Sequence, residues 1–116
     1  MRPKLRVWVV FGRFKFGDGR ARLLELIDER GSLRQAAAEL DMSYRNAWGY
    51  LQELEKAAGF KLVARPPDDK LRSGMRLTSN GREFLTCYRK FQGRLDGAAA
   101  RHFDRMFGGK TFGRRR

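Results

Sequence analysis

Cysteine and histidine each occur once in this 116-residue chain, at Cys87 and His102, and proline occurs three times. One cysteine cannot form an intrachain disulfide, so the secreted disulfide-scaffold class is excluded and a reducing compartment fits. A zinc site of Cys and His ligands within one chain lacks its donors. Cys87, next to Tyr88 on a predicted helix, reads as a structural thiol, and His102 as a position on that helix's seam. No apolar run approaches the roughly 20 residues that a membrane span needs. The run from Val7 to Phe11 is too short for a signal-peptide core. A cytoplasmic protein with no membrane partner is expected. No phosphate-cradling glycine loop of Walker type occurs, and no paired carboxylates mark a catalytic pocket. Neither an enzyme nor a cofactor is therefore expected.

Acidic residues are also scarce. Thirteen Asp and Glu face 26 Lys and Arg, a formal net charge of +13. Self-repulsion of that size disfavours the free compact state and points to a polyanionic partner, with nucleic acid ahead of an anionic membrane surface. The excess sits at the ends. Residues 1–16 carry Arg2, Lys4, Arg6, Arg13 and Lys15 with no acid. Residues 101–116 carry Arg101, Arg105, Lys110, Arg114, Arg115 and Arg116 against Asp104 alone. The other 84 residues hold 15 basic and 12 acidic side chains and are nearly balanced.

Periodicity supplies the elements. Leu5, Val7, Val9 and Phe11 alternate with Arg6, Trp8 and Val10, which predicts a strand. After Gly12, Gly17 and Gly19, Asp18 can cap a helix running to about Arg30, with Leu23, Leu24 and Ile27 buried and Gly31 as its left-handed stop. "SLRQ" is a capping box at Ser32, in which Ser32 accepts from the Gln35 backbone N–H while the Gln35 side chain reaches back. Leu33, Ala36, Ala37 and Leu40 line one face of a two-turn helix. Asp41 and Met42 form a break, Ser43 caps the next helix, and that helix runs to Ala58 with Ala47, Leu51 and Leu54 inward. "FKLVA" (60–64) and "MRLT" (75–78) predict a hairpin around the loop "RPPDDKLRSG". Thr78 or Ser79 caps a last helix whose apolar stripe is Phe84, Tyr88, Phe91, Leu95, Ala99, His102 and Met106. Gly93 and Gly97 cost about 1 kcal/mol each inside a helix. Either the helix breaks there or another helix approaches closely.

The fold class that follows is mainly α with a small β-sheet, a winged helix-turn-helix with an N-terminal strand and a long C-terminal dimerisation helix. Its expected divisions are a DNA-binding region over 1–78, a dimerisation helix over 79–107 and a basic flexible tail over 108–116. The small Ala36, Ala37 and Ala47 let the two central helices cross closely. The second of them, residues 43–58, would then enter the major groove of double-stranded DNA. Arg45 can donate bidentately to guanine and Asn46 can pair with adenine. Ser43, Tyr44 and Tyr50 can reach phosphates, and Gly49 permits close approach. Ser32, Arg34 and Gln35 suit a backbone phosphate. Trp48 is expected to pack in the core or against the wing. Phe84, Tyr88, Phe91, Leu95 and Met106 form a stripe too apolar for a domain of this size to cover alone, so a homodimer is expected.

"GSLRQAAAELDMSYRNAWGYLQELEKAAGFKLVAR" followed by "LTSNG" resembles the winged-helix domain of LysR-type regulators. The "MSYRNAW" core and "VWVVFGRFKFGDGRARLLELIDERGS" resemble more closely the N-terminal domain of ModE, the molybdate-responsive regulators. The resemblance spans roughly residues 5 to 95. It implies a regulator whose long last helix dimerises and whose dimer binds a palindromic operator. The wing departs from the family's glycine-rich one, being "RPPDDKLRSGM" here. Asp68 and Asp69 oppose approach of the whole tip to DNA, whereas Arg65, Lys70, Arg72 and Arg76 remain candidate contacts. In that family the oxyanion binds a separate C-terminal region of β-strands. Nothing after Thr78 has strand periodicity, so a small-molecule effector is not expected on this chain. Two other functions fit the same pattern: an architectural DNA-binding protein with little base preference, or a winged-helix protein-interaction module.

The charge predicts strongly salt-dependent DNA binding. With about 6–10 phosphate contacts in a dimer, affinity is expected to fall about 10³- to 10⁵-fold between roughly 50 and 200 mM salt. A nearly flat plot of log affinity against log salt would refute the electrostatic reading.

Overall fold

The computed structural model describes residues 3–66 and 74–110. Its first elements are two short antiparallel strands, β1 (Val9–Phe11) and β2 (Phe14–Phe16), paired Val9 to Phe16 and Phe11 to Phe14. Gly12, at φ +62, supplies the left-handed residue that lets the chain reverse so tightly. The predicted strand over 5–11 is therefore shortened to its last three residues, and it is half of a hairpin. Its partner ends at Phe16, because Gly17 already starts a helix, so Leu5 to Trp8 have no ladder to join.

Helix α1 (Asp18–Arg30) buries Ala21, Leu23, Leu24, Leu26 and Ile27. The expected cap is corrected here. Gly17 holds the N-cap position with no side-chain bond, and Asp18 is the first helical residue. The carboxylate of Asp18 instead turns to a distant arginine, described below. Gly31 (φ +67) ends the helix and donates to the Ile27 carbonyl at 2.8 Å. Ser32 then accepts from the Gln35 N–H at 3.1 Å and opens α2 (Leu33–Glu39). Asp41, at φ +55, makes the turn, and the Met42 N–H reaches back to the Ala37 carbonyl at 2.9 Å. Ser43 accepts from the Asn46 N–H at 3.0 Å and opens α3 (Tyr44–Ala58), which Gly59 (φ +84) stops. Ala36, Ala37 and Ala47 are all buried, as close crossing of α2 and α3 requires.

Strands β3 (Val63–Ala64) and β4 (Arg76–Leu77) pair Val63 with Leu77 and Ala64 with Arg76. They form the root of the wing; its predicted tip, with Lys70 and Arg72, lies outside the described residues. Glu55 on α3 fixes this root by accepting from the N–H groups of Leu62 (2.8 Å) and Val63 (3.2 Å). On the other strand, Asp28 of α1 accepts from the Leu77 N–H at 3.1 Å.

Thr78 caps the last helix, α4 (Ser79–Phe107), accepting from the Gly81 N–H at 2.9 Å. The same hydroxyl donates to the Lys61 carbonyl at 2.7 Å, and the Thr78 N–H donates to that of Leu62 at 2.9 Å. Gly81 is buried, and a Cβ there would overlap the Leu62 carbonyl oxygen. "LTSNG" is thus the sequence that lets α4 begin flush against the wing.

Helix α4 docks through its first turns only. Phe84 and Tyr88, expected on a dimer surface, are half-buried against their own domain. Their rings meet Phe16 edge-on at centroid distances of 5.1 and 4.8 Å. Arg89 then clamps the helix to α1. It donates to both Glu25 oxygens at 2.9 and 3.0 Å and to Asp18 at 2.6 Å. The Arg89 hydrogen bonds and charge hold the Glu25 and Asp18 carboxyls below their usual range. Beyond Gln92 the helix faces the N-terminal residues across an open cleft as far as Ala100 and then projects, which gives a molecule of 70 × 26 × 25 Å. It runs unbroken through Gly93 and Gly97, so of the two alternatives the break does not occur. Phe91 and Met106 on this arm are 49% and 60% exposed.

Two outcomes follow. Gly81→Ala is expected to destabilise the fold by about 1–3 kcal/mol through overpacking, whereas Gly93→Ala, with open space at its Cβ, should stabilise it by about 0.5–1 kcal/mol. Urea titration of both variants tests the pair. Because Glu25 and Asp18 have lowered folded-state pKa values, their stabilisation is present above the unfolded carboxylate range. It is lost as pH falls through and below about 4. Arg89→Leu should flatten that part of the stability–pH curve, as read by thermal melts across acid pH.

Candidate nucleic-acid interface

The orientation of α3 is fixed by what it buries. Ala47, Leu51 and Leu54 face the core. With about 100° between successive residues, the opposite face carries Arg45, Gly49, Gln52 and Lys56. Tyr44 and Trp48 fall on one flank, Asn46 and Tyr50 on the other. Arg45, Asn46 and Ser43 are exposed, as the sequence pattern predicts.

The Tyr44 flank faces the wing. Between α2, α3 and β3 lies an open cleft of about 800 Å³, lined among others by Arg34, Gln35, Tyr44, Trp48, Lys61 and Arg65. Gln52, Ser32 and Glu55 complete its walls. The Arg34 guanidinium stacks over the Tyr44 ring at 4.6 Å, which holds both side chains at the rim. Arg76 lies outside this lining; its guanidinium sits over Gly31, with Nε 3.2 Å from where a Cβ would stand.

Two carboxylates beside this surface have internal partners. Glu39 is bridged by Arg30, whose hydrogen bond lowers the Glu39 pKa, and Glu55 accepts the wing-root N–H groups and pairs with Lys61 at 3.5 Å. Among the described residues that line the cleft Glu55 is the one acid, so the lining is net positive.

The other flank is built differently. Tyr50, predicted to reach phosphate, is half-buried, and the Arg20 guanidinium lies 4.1 Å from its ring centroid. Arg20 also lies 5.2 Å from the Phe14 ring and 5.7 Å from that of Trp8. The N-terminal hairpin thus packs against the Tyr50 flank, and Tyr50 is separated from the cleft.

Trp48, expected in the core or against the wing, is 41% exposed and stands in the cleft beside the wing-root residues Val63 and Met75, four residues after Tyr44; it is not a core residue. The spacing that placed Ala47, Leu51 and Leu54 inward carried the signal, because it leaves position 48 on the flank. Lys61 was also missed; it lies in a segment read only as a strand. Of the proposed dimer stripe, Phe91 and Leu95 line a second cleft of about 750 Å³, facing the N-terminal residues Leu5, Val7 and Trp8. Met106 lies near the free end of α4.

The arrangement matches known proteins. The chain is 33% identical over 89 residues to the molybdenum transport protein ModE of Azotobacter vinelandii, covering 77% of this chain and 33% of that protein. It is 35% identical over 69 residues to the transcriptional regulator ModE of Haemophilus influenzae, covering 60% and 27% respectively. The chain thus spans about a third of the length of these curated relatives. Among solved structures, the complex of the CbnR DNA-binding domain with DNA superposes with a TM-score of 0.56 at 24% identity, covering 72% of this chain and 90% of that one. ArgP from Mycobacterium tuberculosis superposes at 0.53 and 22% identity, covering 73% and 30%. At these identities the likeness to the solved structures is one of fold. Residues 19–82, from the first turn of α1 to the first turn of α4, match the lysR family of bacterial regulatory helix-turn-helix proteins. That match spans more than half of the chain, which therefore belongs to this family.

Proposed function

We propose that this protein is a homodimeric, sequence-specific transcriptional regulator that reads the major groove of double-stranded DNA with α3. The observation that carries the reading is Gly49. A glycine inside a helix costs about 1 kcal/mol relative to alanine, yet the fold has no need of one here. Its backbone is helical, and a Cβ built on it meets nothing within 4 Å. The missing side chain leaves room for a surface outside the molecule, on the face that also presents Arg45. Arg45 then reads guanine and Asn46 adenine, while Ser32, Arg34, Gln35, Ser43 and Tyr44 hold phosphates. Arg65 and Arg76 at the wing root, with Lys70 and Arg72, add backbone contacts.

The dimer uses the projecting arm of α4. Phe91, Leu95 and Met106 supply its apolar seam, with Phe84 and Tyr88 acting mainly to seat the helix on its own domain. An unbroken helix carrying Gly93 and Gly97 lets a second helix approach closely. The half-sites are then about 34–36 Å apart. On this reading the 116 residues carry no oxyanion effector site, since every strand among the described residues belongs to one of the two hairpins. Saturable binding of molybdate but not sulfate in calorimetry would overturn that part.

Gly49→Ala separates folding from function. It should raise folding stability by about 0.5–1 kcal/mol while weakening binding to a selected operator. Arg45→Ala should cost about 1–3 kcal/mol on that operator and relax selectivity at one base pair, whereas Arg72→Ala should weaken all sequences alike. Mobility-shift titrations on selected and scrambled duplexes test all three. Unchanged operator binding by Arg45→Ala excludes α3 as the reader. A monomer in micromolar sedimentation excludes the dimer.

A further inference from the structure

Given the DNA-reading function proposed above, on which this rests, we infer that Trp48 is a base-reading residue that contacts a thymine methyl group. A large aromatic side chain 41% exposed in a cationic cleft has a cost in water that its own fold covers only in part. Its surroundings specify what covers it. The rim carries Arg34, Lys61 and Arg65, and Glu55, the one acid among the described lining residues, accepts from the wing-root N–H groups and pairs with Lys61. An occupant must therefore be anionic along its edge and apolar where it meets the indole. One strand of a duplex has that pattern, with phosphates outside and, on the major-groove side, the 5-methyl of thymine as the principal apolar group on a base edge.

The geometry assigns different tasks to the two neighbours on α3. Arg45 points straight outward and reads polar base edges. Trp48, three residues further on, lies on the flank toward the wing and reaches a different base pair. Tyr44 is held under Arg34 at the rim, one turn before Trp48. Selectivity at the Trp48 position is for the methyl group, not for a hydrogen-bond pattern.

The test replaces each thymine of a selected operator with deoxyuridine, which removes the methyl and leaves every hydrogen-bonding group. Wild-type protein is expected to bind about fourfold more weakly when one particular thymine per half-site is replaced, the value of one buried methyl. Trp48→Ala should lose overall affinity and show no thymine-to-uracil difference at that position. Its salt slope should equal that of wild type, because no phosphate contact is removed. Arg45→Ala should retain the thymine-to-uracil difference. The assignment is overturned if every uracil replacement is silent for wild type, or if Trp48→Ala still discriminates. Selection that yields no preferred site would overturn the DNA-reading function, and the Trp48 assignment with it; a preferred site with silent replacements overturns Trp48 alone.

Discussion

Everything that positions α3 converges on the place where the first turn of α4 presses on the backbone of Lys61 and Leu62. Glu55 holds that backbone from the α3 side through two N–H groups. Thr78 holds it from the α4 side through its own N–H and hydroxyl. Gly81 removes the only atom that would keep the two apart. Two helices, α3 and α4, share one short stretch of main chain, and the contacts pair its polar groups. The wing is therefore a continuation of α3 and α4 rather than a flap attached to them. Its root has little freedom to tilt against α3.

Local chemistry explains which parts of this were legible in the sequence. Ser32, Ser43 and Thr78 cap the helices predicted for them, and Gly31 and Gly59 stop theirs, because each decision is made within four residues. The hairpin of β1 and β2 was read as one strand followed by punctuation. Its second strand is three residues long, and only the tertiary partner reveals it. Asp18 looked like a cap because Asp often is one, but its preferred partner, Arg89, lies 71 residues away. The helix angle set by Ala47, Leu51 and Leu54 decides where Trp48 and Tyr50 stand: it keeps the indole out of the core on the wing side and turns the phenol toward Arg20.

The two flanks of α3 differ in how they treat positive charge. On the wing side arginine lies at the surface of the cleft. On the hairpin side Arg20 is enclosed by aromatic faces, and its Nε has no hydrogen-bond partner. Ring quadrupoles stabilise a guanidinium without cancelling its charge. The Arg20 cation thus adds to the positive field along the helix while its side chain is held in place by packing.

The arm of α4 has a mechanical consequence. Its first turns are gripped by an aromatic contact and by the Arg89 clamp, and the rest is a rod held at one end. At about 1.5 Å per residue, the stretch from Gln92 to Phe107 is a lever of roughly 22 Å. A pivot of about 10° at the clamp swings its tip by about 4 Å, roughly three-quarters of the rise of one turn. The clamp is made of charge and the rod of unbroken backbone hydrogen bonds, so the joint yields before the shaft does. A force on the tip is therefore passed to the domain with few intermediate parts in which to dissipate the motion.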